Sequence, residues 1–299
     1  MCYEEFKDNL LAELRDFYGN DAKVELKTVT KNNGVKFHGI QIELREDERI
    51  CPVIYINQMY EDFEAGDIDM IGIIDKIIQI RGDNNKGMDL VDKIGIFTDW
   101  TTASDAVFPA LIKTEDNKEM LETLVSRSFL DLSVIYLLRV DDRDGSCASV
   151  KVTKDVMKNY GISQEELDEA AMYNLRNRDK PQISTMRETL SRLMHDSVTD
   201  IDGSDQMDCM HVLTNKTGCN GAAQMLNMEQ LSGKYEKNFY IIPSSIHELI
   251  LLDDTDDMDV GMVNQMIREV NESQLSPEEV LSDHCYYYDF ENKEVRMCA

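Results

Sequence analysis

Residues 238–290 constrain the fold more than any other stretch of this sequence. They contain, in order, an apolar strand pattern (FYIIP), a Ser-Ser turn, a second strand pattern (ELILL), an acidic segment, an amphipathic helix and a strand with three consecutive tyrosines. The helix carries apolar residues at helical spacing, namely Val260, Val263, Met266, Ile267 and Val270. The stretch therefore predicts a strand-helix-strand unit at the centre of the C-terminal half.

Residues 1–103 are predicted to form an N-terminal lobe. An apolar stripe at helical spacing covers residues 3–18, and Asn33-Gly34, a dipeptide that tolerates positive φ angles, predicts a hairpin turn between two strands. The apolar phase of the second strand slips at Gly39, which favours a β-bulge. A long helix with core positions in residues 70–78 is predicted to be ended by Arg81-Gly82 and the polar run 83–87 (DNNKG). Residues 94–100 (IGIFTDW) have the composition of a strand.

Residues 104–299 are predicted to form a C-terminal lobe, with a helical connector at 104–124 and an exposed loop at 196–208. Two hairpins are predicted, one across the acidic segment 141–147 and one that joins CMHVLTN to GAAQML, and Asn227 is interpreted as the cap of a following helix. Three helix starts are predicted from capping-box pairs, which are Ser163 with Glu166, Thr185 with Glu188, and Ser276 with Glu279. Together these patterns predict an α+β fold of two lobes, with mainly antiparallel or mixed sheets and helices packed on one face.

The net charge argues against one class of function. The chain has 58 acidic and 31 basic residues, a net charge of −27. Such a surplus repels phosphate backbones and disfavours direct nucleic-acid binding through a basic face. It leaves two interpretations, a solvated acidic surface or an acidic decoy that imitates DNA and occupies a nucleic-acid-binding partner.

The cysteines indicate a reducing compartment. Their number is odd and no CxxC pair occurs, which fits neither a disulfide framework nor a zinc site. The N-terminal residues predict a helix rather than a signal peptide, and no apolar run reaches membrane-spanning length. We therefore expect a cytoplasmic protein whose seven thiols are reduced, namely Cys2, Cys51, Cys147, Cys209, Cys219, Cys285 and Cys298.

Two groups of polar residues in or near residues 238–290 have the residue types of a catalytic or a metal site. Ser244, Ser245, His247 and Asp283 supply the residue types of a Ser-His-Asp triad, but no GxSxG elbow is present, and serines after a proline also suit an ordinary turn.

The second group is a candidate metal site formed by His247 and His284 with His211 as a helper. Adjacent residues on a strand point to opposite faces, so His247-Glu248 and Asp283-His284 each offer one ligand to a given face. Polar strand ends bonded to the backbone are the simpler interpretation, and the sequence predicts no cofactor.

Five segments in order carry a resemblance to known proteins: TVTKNNGVKFHGI, FLDLSVIYLL, HVLTNKTGCNGAA, FYIIPSSIHELILL and EVLSDHCYYYD. With them the chain resembles an uncharacterised domain family of gut clostridial (Lachnospiraceae-type) proteins over nearly its whole length. More distantly it resembles the YtpQ-like uncharacterised proteins of Firmicutes. Neither resemblance implies an activity, a substrate or a cofactor.

The sequence favours a non-enzymatic binding or regulatory protein that acts through contacts with an unidentified protein partner. Direct binding to nucleic acid or to membranes is not expected. The alternatives are the acidic DNA-mimic inhibitor, and a hydrolytic or metal-assisted enzyme with a site near His247 and His284.

Overall fold

The computed structural model of this chain describes residues 1–44, 51–87, 94–141, 148–193, 210–231, 235–254 and 258–298. The chain divides into two compact units, one formed by Met1–Lys31 and Val35–Asp92 and the other by Asn32–Gly34 and Lys93–Ala299. Helices accompany antiparallel sheets in both units, which confirms the predicted α+β fold class. None of the helices in the described ranges has the length and hydropathy needed to cross a bilayer.

The first unit is a three-stranded sheet, in the order β1-β2-β3, packed with helices. Its elements are α1 (Tyr3–Tyr18), β1 (Lys23–Thr30), β2 (Lys36–Glu43), β3 (Val53–Tyr55), α2 (Asn57–Ala65) and α3 (Met70–Gly87). Apolar residues three or four apart on α1 and α3 pack against the buried side chains of the sheet. The fully buried members of this core include Phe6, Leu10, Leu14, Ile40, Ile42, Ile73 and Ile77.

The predicted hairpin turn is confirmed, since Asn33 and Gly34 have φ angles of 58° and 71°. The predicted bulge at Gly39 is wrong, because β1 and β2 pair without a register shift through Lys27 and Gly39. Glycine is required there for another reason. A Cβ atom on residue 39 would lie 2.4 Å from Cγ1 of Val53 on the neighbouring strand β3.

The long helix α3 passes through Arg81-Gly82 and extends to Gly87, the last residue of the polar run that was predicted to end it. Arg81 is buried, and its Nε donates a hydrogen bond of 2.7 Å to the carbonyl oxygen of Ile42. This tertiary contact holds the helix at the position where local sequence favours a stop.

The second unit contains a four-stranded and a six-stranded sheet. Its strands are β4 (Val107–Lys113), β5 (Ser126–Phe129), β6 (Leu132–Asp141), β7 (Ala148–Lys151), β8 (Gln182–Thr185), β9 (Met210–Thr214), β10 (Phe239–Pro243), β11 (Leu249–Asp253), β12 (Tyr286–Asp289) and β13 (Glu294–Met297). The smaller sheet has the order β4-β6-β5, with β7 also on β6, and the larger has the order β13-β12-β10-β11-β9-β8.

Short and long helices complete this unit. They are α4 (Ile94–Thr98), α5 (Trp100–Ala103), α6 (Lys118–Leu121), α7 (Lys154–Tyr160), α8 (Gln164–Asn177), α9 (Met186–Leu193) and α10 (Val260–Gln274), with 3-10 helices at Glu115–Asn117, Gly221–Gln230 and Pro277–Glu279.

The main core of the second unit collects inward-facing residues of both sheets. Alternate strand residues supply it, such as Val134 and Tyr136 on β6 and Phe239 and Ile241 on β10. The other face of the six-stranded sheet packs in a smaller cluster with Ile267 of α10. Strand β10 is thus covered on both faces.

Two predictions in this unit are wrong because local patterns mislead. Residues 94–100 contain α4 and the start of α5 rather than a strand, and Asp99 caps α5 by accepting a hydrogen bond from Thr101 N at 3.2 Å. The connector 104–124 is not mainly helical, since β4 occupies its centre. Six consecutive residues of β4 are buried, so its sequence lacks the alternation of a half-buried strand. Pro109 fits there because β4 lies at the edge of its sheet.

The predicted hairpin between CMHVLTN and GAAQML is wrong as well. Strand β9 leads into the 3-10 helix Gly221–Gln230, and Asn227 lies inside that helix with φ −133° rather than capping a new one. A Cβ atom on Gly221 would lie 2.4 Å from the carbonyl oxygen of His247, which explains the glycine. The pairing of β6 with β7 confirms the strands of the other hairpin. The centre of its acidic turn (142–147) and the predicted loop 196–208 lie outside the described residues.

Two of the three capping boxes are confirmed. Both reciprocal hydrogen bonds form between Ser163 and Glu166 and between Thr185 and Glu188, with distances of 2.8–3.2 Å. Ser276 precedes a 3-10 turn, as predicted, but its side chain makes no capping hydrogen bond. The Glu279 carboxylate faces His247 instead.

Candidate functional site

The strand-helix-strand unit predicted for residues 238–290 is confirmed. Strand β10 pairs with β11 through residues 239–243 and with β12 through residues 239–241. Tyr286 and Tyr288 are buried against the main core, while Tyr287 lies on the opposite face beside Tyr240. Three parts of this unit are candidate sites, namely the turn 244–248, the start of β12 and the outer face of α10.

The turn between β10 and β11 uses the polar side chains of the proposed triad locally. His247 N donates to Ser245 Oγ at 3.0 Å, and Ser244 Oγ donates to Glu248 Oε1 at 3.2 Å. The imidazole of His247 accepts a hydrogen bond from Asn220 N at 3.1 Å through Nδ1. These bonds close the turn, as serine hydroxyls commonly do.

Asp283 is held by a different set of groups. Its Oδ2 lies 2.5 Å from Lys113 Nζ, and its Oδ1 accepts from Asn271 Nδ2 at 3.1 Å. Lys113 also lies 2.9 Å from Asp116. Partial burial alone lowers the pKa of Lys113, but its two carboxylate partners outweigh burial and raise that pKa above the ordinary value. Burial likewise raises the pKa of Asp283, and the Lys113 contact overcomes it, so the net shift is downward.

His284 joins a second polar cluster, which the structure assembles from the turn between β5 and β6 and the start of β12. Its Nε2 lies 3.1 Å from Asp131 Oδ2, and its Nδ1 lies 3.0 Å from the carbonyl oxygen of Cys285. The fully buried Tyr286 donates its hydroxyl to Asp131 Oδ1 at 2.8 Å. Asp131 and Tyr286 were not predicted, because they lie 155 residues apart in sequence and no local pattern links them.

The electrostatics of this cluster favour an ion pair. The hydrogen bond to Asp131 raises the pKa of His284 against the opposing effect of burial. Burial raises the pKa of Asp131, yet the hydrogen bonds from His284 and Tyr286 outweigh it and leave the pKa lowered. Burial raises the pKa of Tyr286, which therefore remains a neutral donor. Both ring nitrogens of His284 are occupied, so the imidazole offers no vacant lone pair for a metal or for proton transfer.

His211, the third predicted metal ligand, lies on β9. It is buried, and its ring meets that of Tyr235 edge-on with 5.4 Å between centroids. Within the described ranges, no group of three or more His, Cys, Asp or Glu side chains is placed to hold a metal ion.

A cavity of about 340 Å³ in the second unit is lined by three cationic side chains. Arg139 and Arg178 line it, but each is paired with an aspartate, with Asp179 at 2.5 Å and with Asp105 at 2.7 Å. Lys216 also lines the cavity. Because aspartates already neutralise both arginines, the cavity is poorly suited to binding an anion.

Three large apolar side chains are exposed to solvent on the outer face of α10. Met262, Met266 and Val270 are 70%, 45% and 42% exposed, and their spacing of four residues aligns them along one side of the helix. The inner face holds Ile267 against the sheet. The sequence pattern grouped Met266 and Val270 with the residues expected to be buried and did not include Met262. Helical spacing alone does not show where the buried face of a helix ends.

Comparison with known proteins gives one match. The model of a family of unknown function (DUF5688) matches residues 3–290, which confirms the resemblance to an uncharacterised domain family. No curated protein and no solved structure matches the chain.

Proposed function

We propose that this chain, which belongs to the DUF5688 family of unknown function, is a cytoplasmic, non-enzymatic binding protein that docks a protein partner on helix α10. The observation that supports the proposal is the row of exposed apolar side chains formed by Met262, Met266 and Val270, called the α10 stripe below. Burying apolar surface stabilises a complex by roughly 25 cal/mol per Å² before the costs of association are subtracted.

The composition of the α10 stripe suits recognition of a groove. Anchors spaced by one helical turn are the usual way in which an amphipathic helix occupies an apolar groove on a partner. Methionine is flexible and polarisable, so two methionines adapt to the shape of such a groove. The helix has 15 residues, which is long enough to present all three anchors on one rigid element.

The acidic character of this chain indicates the charge expected on the partner. Glu269 and Glu272 are exposed on the same helix, against one exposed cation, Arg268. The whole chain has a net charge of −27. We therefore expect the partner groove to be apolar at its floor and to carry lysine or arginine at its rim, since opposite potentials speed association and suppress wrong partners.

The hydrolytic alternative has less support. The hydroxyls of Ser244 and Ser245 are engaged in the turn 244–248, and Asp283 pairs with Lys113. A nucleophilic serine needs a hydrogen bond to a base that a third group orients. The contacts of these residues favour a structural role over a catalytic one.

The test compares binding of the wild-type chain with that of a Met262→Ser/Met266→Ser double variant. A partner is first captured from a native lysate, then purified and titrated against each chain by calorimetry. We expect the double variant to weaken binding at least about tenfold, because two central apolar anchors are removed. Thermal unfolding should be unchanged, since exposed side chains contribute little to stability.

A matched control is available on another helix. Ile71 is 70% exposed, as is Met262, but it lies on α3, so Ile71→Ser should leave the affinity unchanged. Equal affinity of the wild type and the double variant would refute docking on α10. If the partner binds nucleic acid and this chain competes for that surface, the acidic decoy version of the proposal is favoured. If nucleic-acid binding is unaffected, that version is wrong.

A further inference from the structure

Two cysteines face each other on the last two strands of the six-stranded sheet, at its edge. Strands β12 and β13 pair in a register that includes Tyr286 opposite Met297, so Cys285 and Cys298 occupy the next opposed positions. The backbone confirms this, since Cys298 N donates to the carbonyl oxygen of Cys285 at 3.3 Å. Both thiols are free. We infer that Cys285 and Cys298 form a reversible disulfide, which makes this edge of the sheet a site of oxidative modification.

The separation of the backbones permits the bond. Directly opposed residues of an antiparallel pair have Cα atoms about 4.5 or 5.5 Å apart, and disulfides span Cα separations of about 4.4–6.8 Å. Strand β13 has four residues and forms the edge of its sheet, so it can adjust to the bond without displacing a second neighbour in the sheet.

The two sulfurs differ in exposure and in acidity. Cys285 is fully buried beside Ile242 and Ile267, whereas Cys298 is partly exposed and lines a cavity of about 430 Å³ with Tyr240 and Arg296. A small oxidant therefore approaches the pair from the side of Cys298. The hydrogen bond from the Cys298 thiol lowers the pKa of Cys285 despite burial and raises the pKa of Cys298, so Cys285 is the more acidic thiol and the better nucleophile of the reduced pair.

The chemistry with hydrogen peroxide as the oxidant is balanced. The sulfur of Cys285 attacks one peroxide oxygen, the O–O bond breaks, and Cys285 becomes a sulfenic acid while one water is released. The sulfur of Cys298 then attacks the sulfenic sulfur, the S–O bond breaks, and the oxygen leaves as a second water. Two thiols lose two electrons and two protons in total, and a dithiol reductant reverses the change through a mixed disulfide.

The surroundings of Cys285 and Cys298 differ from those of the other described cysteines. The described cysteines include three others, of which Cys2 is exposed, Cys219 is partly buried and Cys51 donates its thiol to the carbonyl oxygen of Ile42 at 3.0 Å. Cys285 differs from them because it packs beside Ile267 of α10 and directly opposes a second thiol.

The test maps disulfides in the full-length protein after brief treatment with hydrogen peroxide and alkylation of the remaining thiols. Trypsin cleaves after Arg268, Lys293 and Arg296, so the peptides 269–293 and 297–299 are joined only through a disulfide. We expect the joined peptide by mass spectrometry, its disappearance after treatment with dithiothreitol, and its loss in Cys298→Ser. The Cys219→Ser variant should retain it.

Two results would overturn the inference. One is an alkylated Cys285 in the wild type at a peroxide dose that oxidises the exposed Cys2. The other is a disulfide between Cys285 and a different cysteine. Because both results come from the wild-type chain, they do not depend on correct folding of a variant.

Discussion

The two histidines that the sequence analysis singled out belong to the same strand-helix-strand unit but have different polar contacts. His247 lies in the turn after β10, where its imidazole meets a backbone amide at 3.1 Å and the Glu279 carboxylate at 3.7 Å. His284 lies before β12 and contacts Asp131, whose other oxygen satisfies the buried hydroxyl of Tyr286.

The two histidines show that residue type alone does not determine how much a side chain contributes to the stability of the fold. A polar group contributes most when its loss leaves a buried donor or acceptor without a partner, because water cannot replace that partner. His247 closes a turn at the surface of its unit. His284 and Asp131 satisfy groups in the interior.

The largest expected effect is that of Asp131→Ala. The substitution leaves the buried hydroxyl of Tyr286 and Nε2 of His284 without their acceptor, and we expect it to lower the free energy of unfolding by about 2–4 kcal/mol. Trp100, the single tryptophan, lies in the same unit, so urea unfolding followed by its fluorescence measures the change. Asp131→Asn keeps an acceptor oxygen and should cost less. A loss below about 1 kcal/mol for Asp131→Ala would remove the contrast between the two sites.

An intermediate effect is expected for the pH dependence of the cluster. The pKa of His284 is raised above its ordinary 6.5, so its contribution is complete below pH 6.5 and is lost as pH rises through the raised value. The pKa of Asp131 is lowered below 3.8, so its contribution is present above pH 3.8 and is lost as pH falls through the lowered value.

The ion pair thus contributes most between these limits. Relative to the wild type, His284→Gln should lose roughly 1 kcal/mol of unfolding free energy more near pH 5.5 than near pH 9. Urea titrations of both proteins at the two pH values measure this difference. A loss that is equal at both values would show that the imidazole acts as a neutral hydrogen-bonding group.

The smallest effect is expected for His247→Ala. The turn keeps its hydrogen bonds from Ser244 Oγ and His247 N, because the second of these belongs to the backbone. We expect a loss of about 0.5 kcal/mol or less in the same fluorescence experiment. If His247→Ala destabilised the protein more than Asp131→Ala, the ranking of the two sites would be reversed.

Features determined by neighbouring residues were predictable from the sequence alone. Asn33-Gly34 tolerates positive φ angles, and the pairs Ser163–Glu166 and Thr185–Glu188 satisfy helix ends within four residues. The apolar segments on either side of the turn 244–248 are strands, as predicted, and they pair with each other. In each case the interaction acts over a few residues, so its physical cause is visible in one short segment.

The remaining features depend on the folded structure, because the groups involved are far apart in the sequence. Strand β4 is buried on both faces, which removes the alternation that identifies strands, and the alignment of Met262 with Met266 on the exposed side of α10 depends on where the sheet covers the helix. Asp131 reaches His284 across 153 residues, and Cys285 meets Cys298 through strand register. Local propensity gives no information about such contacts, because they are determined by burial and by strand pairing across the folded unit.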